Sequence, residues 1–278
     1  MSENSTETMT AYLSHDLKPA YLLTLFIAAL MGVASGLGLL NPDAIYPSEA
    51  LRQSFFTNDV VNLAVGLPSI IIALWLAWRR KLAGLLLWPG ALMYVLYNYL
   101  AYVFSMPPGW YYLLLLSLVA LCAYTLIGLV VSLDMDKVGS QLARAVPVRL
   151  TGILLITFGA FVFLRVFIVV FNAAIDPGSV APSDLAALPA DFLISPAWML
   201  GGFLLLKRKS LGYASGLGLL FQACMLFIGL IAFMLLQPLM TEAPFDLAGV
   251  LLVAAMSLVS IVPFGLYLRG VAKSAARP

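Results

Sequence analysis

Residues 47–81, PSEALRQSFFTNDVVNLAVGLPSIIIALWLAWRRK, have a second version at residues 182–209, PSDLAALPADFLISPAWMLGGFLLLKRK. Both copies open with Pro-Ser and an acid, continue through a lone aspartate and a proline, and end in three basic residues. The basic triplets begin at Arg79 and at Lys207, each at the same distance after the proline inside the apolar run. This pattern predicts an ancient internal duplication.

The composition is that of an integral membrane protein. Of the 278 residues 63% are hydrophobic and only 10% are charged, and the mean hydropathy is +1.02. A soluble domain carries about 25% charged residues. A helix needs roughly 20 apolar residues to cross a membrane, so the chain has room for an all-α fold with eight transmembrane helices. The predicted spans are residues 20–40, 62–78, 82–104, 111–133, 150–174, 193–206, 211–237 and 247–270.

The duplication divides these spans into two four-helix repeats. Four spans return a chain to its starting side, so the repeats are expected to have the same orientation and to be related by an axis along the membrane normal. The predicted organisation is a cytoplasmic N-terminal tail (1–18), a first four-helix repeat (19–133), a cytoplasmic linker (134–149), a second four-helix repeat (150–271) and a cytoplasmic tail (272–278).

The distribution of basic residues predicts the sidedness. Lys and Arg of the termini and of the connections after even-numbered spans lie on one side, whereas the opposite connections hold only Arg52. Basic residues favour the cytoplasmic side of short loops. Both termini are therefore predicted to be cytoplasmic, in a cell (plasma or inner) membrane.

Each copy is also expected to carry a short interfacial helix in its first external loop. Ser48 and Ser183 have the residue type that caps helix N-termini, and each is followed by an acid that suits the positive end of a helix.

Polar side chains inside a membrane are costly, so their depth is informative. Asp59 precedes Arg79 by about 30 Å of helix, and the other polar residues of the spans also fall in the outer half. These residues predict a ligand-binding pocket that opens to the outer side. The candidate ligand-binding residues are Asp59, Asn62, Tyr94, Asn98 and Gln222, the last matching Tyr94 in the second copy.

Arg165 is predicted to form a structural ion pair with Asp191. The two residues lie at matching depth on successive antiparallel spans, and an unpaired guanidinium in a membrane would be expensive. The first repeat has no equivalent arginine, which leaves Asp59 to reach Arg165 across the repeat boundary or to bind a proton, a cation or a ligand.

Three of these residues also have structural interpretations. Asp59, within Thr57-Asn58-Asp59, is a candidate N-cap of the second span. The Asn98 side chain is a candidate for a hydrogen bond between helices. Tyr94 belongs to a group of tyrosines and tryptophans that an aromatic belt at the interface would explain.

Several classes of chemistry are excluded by what the chain lacks. His15 is the only histidine and lies in the tail, so bis-histidine haem, His-based zinc sites and Ser-His dyads are excluded. No phosphate-binding glycine loop occurs. We expect no cofactor, no metal and no nucleic-acid partner; the expected partners are the lipid bilayer and a small-molecule or lipid ligand.

Three functions stay open at this level. The first is binding, and by extension transport, of a small solute or lipid in the outer pocket. The second is a membrane-embedded enzyme with Asp59 or Asp191 as general acid or base. The third is a structural or assembly partner whose polar residues hold helices together.

The segment from Asn58 to Pro68, with Arg79-Arg80 and Tyr94-x-x-Tyr97-Asn98-Tyr99, resembles a group of prokaryotic multi-pass membrane proteins with no assigned activity. The resemblance covers most of the first four spans. It implies a bacterial or archaeal cell membrane and about eight spans, and it carries no activity. Arg165 lies outside the shared pattern.

Overall fold

The computed structural model describes residues 12–13, 16–176, 178 and 180–275, without the side chains of 182 and 183. Within these residues the chain is helical and has no strands beyond one isolated bridge between Leu13 and Leu133. The helices are α1 (Lys18–Leu40), α2 (Pro42–Ile45), α3 (Glu49–Val61), α4 (Leu67–Trp78), α5 (Leu82–Ser105), α6 (Trp110–Ser132), α7 (Met135–Leu142), α8 (Val148–Ile175), α9 (Pro182–Leu206), α10 (Ser210–Met240) and α11 (Leu247–Ala275).

Eight helical segments of the described chain are long and apolar enough to cross a membrane. They are α1, α5, α6, α8, α9, α10, α11 and the continuous segment Glu49–Trp78. Large apolar side chains such as Leu25, Phe171 and Leu251 lie exposed on the outside of the bundle, where lipid rather than water would cover them. The chain is an all-α multi-pass membrane protein, and the prediction of eight membrane-crossing helices is confirmed.

The second crossing segment is longer than predicted because α3 and α4 are joined without a break. A π-helical turn, Asn62–Gly66, connects them. It ends just before Pro68, which has no backbone N–H and would clash with the preceding turn of a regular helix. The wider π turn accommodates this proline, so the helix continues. The separate interfacial helix predicted here is therefore wrong: its residues form the first turns of the crossing segment.

The predicted caps differ between the two copies. Ser48 caps α3 as expected, because its side chain accepts a hydrogen bond from the Leu51 amide at 3.3 Å. The prediction that Ser183 caps the equivalent helix is wrong, because the backbone becomes helical before this residue. A cap at Ser183 would start the helix at residue 184, whereas helix α9 begins at Pro182, two residues earlier, with Ala181 in the capping position. Proline has no amide hydrogen and therefore leaves no unpaired donor in the first turn, so it is well suited to the first position of a helix.

The two halves of the chain meet where α5 crosses α10. A methyl group added at Gly90 would overlap the backbone of Gly218, and one added at Gly218 would lie 2.9 Å from the Leu86 carbonyl oxygen. Paired glycines let two helix backbones approach closely in a membrane.

The basic triplets form two turns of matching backbone geometry. Arg80 and Arg208 both have φ of 55°, in the left-handed region. After each turn a glycine, Gly84 or Gly212, packs against the end of the preceding helix. We call the end of the bundle that carries these turns the basic end.

The linker of the two halves also lies at the basic end. Gly139 of α7 packs against Ser210, the first residue of α10. Asp134 caps α7 by accepting a hydrogen bond from the Lys137 amide at 3.1 Å, and the Lys137 ammonium lies 2.8 Å from the same carboxylate. Hydrogen bonds from the side chain and then the backbone of Lys137 lower the pKa of Asp134. The N-terminal segment joins this cap, because the Asp134 amide donates to the Tyr12 carbonyl at 2.8 Å.

Candidate functional site

Asp59 is a fully buried carboxyl group in the last turn of α3, at the end of the bundle opposite the basic end. Its Oδ1 accepts a hydrogen bond from the Tyr102 hydroxyl at 2.8 Å, and its Oδ2 accepts one from the Tyr46 hydroxyl. None of the ion pairs among the described residues includes Asp59. The carboxyl group is therefore held by neutral donors alone.

Two asparagines approach the Tyr102 hydroxyl, and a third is linked to it through one of them. The side-chain amides of Asn58 and Asn62 each approach it at 3.4 Å, a long hydrogen bond. Asn58 also donates to Asn98 Oδ1 at 3.4 Å, and Asn98 Nδ2 donates to the Tyr94 carbonyl at 3.0 Å. Asn98 thus makes the hydrogen bond between helices that the sequence suggested, and it does so within the network around Asp59.

The donors of this network point towards Asp59. The amides donate to the Tyr102 hydroxyl, and the Tyr102 and Tyr46 hydroxyls donate to the two carboxylate oxygens. Hydrogen bonds directed at a carboxylate stabilise its charged form, whereas burial in an apolar surrounding opposes it. The site can hold negative charge only to the extent that these neutral donors compensate for lost hydration.

Asn62 gives the site a free acceptor. The side chain is fully buried, and its Oδ1 has no hydrogen-bond partner in the described structure. Its Nδ2 approaches the same Tyr102 hydroxyl that binds Asp59. A buried carbonyl oxygen without a donor costs free energy unless a ligand or water supplies one.

The π turn lies directly after Asp59 and is packed by Tyr94. Such turns are rare and occur frequently at functional sites. A methyl group on Gly66, the last residue of the turn, would lie 3.1 Å from the Tyr94 ring, and one on Gly229 of α10 would lie 2.7 Å from the Tyr94 hydroxyl. Tyr94 therefore fills the space between the π turn and the second half of the chain.

Gly38 makes room for the carboxyl group of Asp59. A methyl group added there would overlap the Asp59 carboxylate and the Tyr46 hydroxyl, whereas one added at Gly36 would have no neighbour within 4 Å. The absence of a side chain at Gly38 lets α1 close over the site.

A second polar cluster lies in the other half. Arg165 Nη1 is 2.6 Å from Asp191 Oδ2, and its Nη2 pairs with Asp184. The Tyr97 hydroxyl donates to Asp191 Oδ1 at 2.7 Å. Arg165 and Asp184 are partly exposed, while the Asp191 side chain is only 7% exposed. This cluster joins α5, α8 and α9 and neutralises its buried acid with an internal cation.

Gln222 belongs to neither cluster. Its Oε1 accepts a hydrogen bond from the Trp198 indole at 3.0 Å, and its Nε2 approaches the Met93 carbonyl at 3.5 Å. Its contacts join α10 to α9 and α5.

The single chamber expected from depth is therefore divided into separate groups. Asn62 and Asn98 lie in the network around Asp59, and Tyr94 lines it through its backbone carbonyl and ring. Arg165 pairs with Asp191, and Gln222 binds Trp198 elsewhere. Depth fixes position along a helix but not rotation about its axis, which is why one layer contains distinct clusters.

Sequence reasoning missed Tyr46, Asn58, Tyr102, Tyr97 and Asp184 as members of these clusters. Two of them carried a signal. Tyr102 follows Asn98 by one helical turn, and Asp184 precedes Asp191 by two turns, so each pair shares a helix face. Tyr46 lies in a loop, and its contact with Asp59 follows only from the fold.

The capping interpretation of Asp59 is wrong. Helix α3 begins at Glu49, so Asp59 and Thr57 lie inside a continuous helix rather than at its start. The Asp59 oxygens accept from tyrosine side chains instead.

A surface pocket of about 480 Å³ lies further towards the same end of the bundle. Glu49, Arg52 and residues 239–242 line it. Glu49 is ten residues from Asp59, about 15 Å along the helix. The pocket therefore belongs to the rim of the bundle, and Asp59 is enclosed below it.

Comparison with known proteins found no match to a protein-family model, to a curated protein or to a solved structure. The site must be interpreted from its own geometry.

Proposed function

We propose that the protein binds a small solute at Asp59, in a site that opens to the outer face of a cell membrane. The observation that carries this proposal is a fully buried carboxyl group whose partners are neutral hydroxyls and which takes part in none of the described ion pairs. An intramembrane acid without an internal cation is a functional site by default.

The chemistry of the site favours a solute that carries a positive charge or hydrogen-bond donors. Asp59 offers a carboxylate and Asn62 offers an unpartnered Oδ1. The hydroxyl donors of Tyr46 and Tyr102 are already directed at Asp59. A protonated amine would complement two acceptors in a surrounding of low dielectric. Tyr46 and the loop that carries it must move aside for such a solute to enter.

The outer location follows from the proposed sidedness. The two basic turns lie at the end opposite Asp59, and basic residues favour the cytoplasm. The opening to the Asp59 site would then face outwards, and both termini would be cytoplasmic.

The matched geometry of the two halves supports the proposed duplication. Arg80 and Arg208 share a left-handed φ at equivalent positions, 128 residues apart (208 − 80). Gly90 and Gly218 have the same separation and touch each other. Contact between equivalent residues is expected at an axis that relates two parallel repeats.

Helix assembly is a second function that the other polar residues favour. The contacts of Gln222 and Asp191 are made to neighbouring helices. On this basis the polar groups of the second half hold helices together, while Asp59 binds the solute.

Asp59→Asn tests the proposal. Protein purified from membranes would be analysed for co-purified small molecules by native mass spectrometry, and any compound found would be added back in a binding titration. We expect the substitution to weaken binding at least about tenfold, since a charge-assisted hydrogen bond is lost.

The matched control is Asp43→Asn, which removes an exposed acid from the short helix α2, just before Tyr46. It should leave binding unchanged. Equal binding by wild type and Asp59→Asn would overturn the proposal, as would a wild-type protein that carries no solute.

A further inference from the structure

The Tyr102 hydroxyl lies between two acceptors. Its oxygen is 2.8 Å from Asp59 Oδ1 and 3.2 Å from the backbone carbonyl oxygen of Phe55. A phenol has one hydrogen to donate, so it can serve only one of the two at a time.

This arrangement satisfies both charge states of Asp59. When the carboxyl group is ionised, Tyr102 donates to Oδ1 and Tyr46 donates to Oδ2. When Oδ1 carries a proton, Asp59 donates to Tyr102, and the Tyr102 hydrogen turns to the Phe55 carbonyl. The Tyr102 oxygen accepts two hydrogen bonds, so it then keeps the one from Asn62, while Asn58 donates to Asn98 Oδ1 instead. Tyr46 keeps its hydrogen bond in both states. The change needs a rotation of one hydroxyl and no movement of heavy atoms.

The groups that face Asp59 supply no fixed positive charge. The titratable side chains around it are Tyr46 from the loop, Tyr99 and Tyr102 from α5, and Tyr111 from α6. Helix α1 contributes Ser35 and Gly38, and α10 has no acidic or basic residue. The nearest charged group of α9, Asp191, is engaged by Arg165. A proton or a ligand must therefore provide the charge that neutralises an ionised Asp59.

We propose that Asp59 is a proton-binding site in which Tyr102 switches its hydrogen between the carboxylate and the Phe55 carbonyl. Binding forms one O–H bond at Asp59 Oδ1 and consumes one proton from solution; release breaks that bond and returns the proton. The proton occupies the site when no cationic solute does. The proposal concerns the same site as the proposed function, but it does not require that a solute bind.

Infrared difference spectroscopy tests this on purified wild-type protein without added solute. Spectra would be recorded between about pH 5 and about pH 9, a range that spans the titration of perturbed carboxyl groups. We expect a C=O stretching band of a protonated, buried carboxylic acid that changes amplitude across this range. Asp59→Asn should abolish the band, and an unchanged band in this variant would overturn the proposal.

Two tyrosine variants test the role of Tyr102. Tyr102→Phe removes the hydroxyl that accepts a hydrogen bond from protonated Asp59, so the band should shift in frequency. Tyr267→Phe is the matched control, because the Tyr267 hydroxyl is equally buried but donates to the Tyr213 carbonyl at 2.7 Å, away from Asp59. It should leave the band in place. A band that is equally unaffected by both variants would overturn the switching role.

The spectra also separate this proposal from the proposed function. A titrating, Asp59-dependent band in a protein that binds no solute would support proton binding and overturn solute binding. Asp59-dependent solute binding without such a band at any pH would support solute binding and overturn proton binding.

Discussion

Each half of the molecule contains one buried aspartate in its second long helix, and the two are neutralised differently. Asp191 pairs with Arg165 and accepts a hydrogen bond from Tyr97. Asp59 accepts hydrogen bonds from Tyr46 and Tyr102 and forms none of the described ion pairs.

If the two helices are copies of one element, as proposed, that element has acquired two different environments for its aspartate. Asp191 has an internal cation as its partner, so that carboxylate contributes to helix packing. The hydrogen-bond donors of Asp59 carry no charge, so they cannot neutralise its carboxylate. An uncompensated buried charge is costly, and in our proposal this cost couples Asp59 to a proton or a cationic ligand.

The two aspartates should respond to the same substitution with losses of stability of different size. Asp191→Asn leaves Arg165 without one of its two acids and should lower the free energy of unfolding by about 2 kcal/mol. Asp59→Asn resembles the protonated acid, since its amide can donate to Tyr102 while Tyr46 donates to its oxygen, and should cost less than about 1 kcal/mol. Thermal and denaturant unfolding in detergent measure both.

A double-mutant cycle with Arg165→Met sharpens this comparison. If Arg165 and Asp191 interact as their 2.6 Å separation indicates, the double variant should be more stable than the sum of the two single losses predicts. Additive losses would contradict the pairing, and a larger loss for Asp59→Asn than for Asp191→Asn would contradict the distinction between the halves.

The close packing of α1 against the Asp59 carboxyl group can be tested by filling the space between them. Gly38→Ala would place a methyl group on Asp59 and Tyr46. We expect a loss of up to about 2 kcal/mol from overpacking, together with a loss of solute binding. Gly36→Ala, two residues away in the same helix with open space around it, should be neutral or slightly stabilising. Similar unfolding temperatures for the two variants would argue against the tight closure of α1 over Asp59.

The smallest effect is expected at Gln222. Gln222→Leu removes the hydrogen bond with Trp198 and should cost about 1 kcal/mol, in keeping with weak polar contacts between membrane helices. Solute binding should be unchanged in a binding titration. If binding instead fell as far as it does in Asp59→Asn, Gln222 would belong to the binding site.

The number of crossing helices followed from composition and length, but two features of the second helix did not. Polar residues from Glu49 to Asp59 suggested a separate interfacial helix, yet the backbone continues through them. The local sequence was ambiguous because Pro68 commonly ends a helix. Here a π turn accommodates the proline, so the helix continues. Packing against neighbouring helices decides whether the helix continues or ends at this point.

Only part of the candidate site could be predicted. Asp59, Asn62 and Asn98 were identified because polar residues inside an apolar segment are conspicuous. Tyr46 and Tyr102 were not, since tyrosines near a membrane interface are ordinary. Their importance depends on the direction in which each hydroxyl points.

The sequence by itself determined that this chain is a helical membrane protein with eight crossing segments, because hydrophobic length is a property of each segment alone. It also determined where each polar residue lies along its helix. The tertiary structure alone decided which of these residues meet. That choice depends on helix rotation and on close approach at positions such as Gly38 and Gly90, where the contact is set by a residue distant in the sequence.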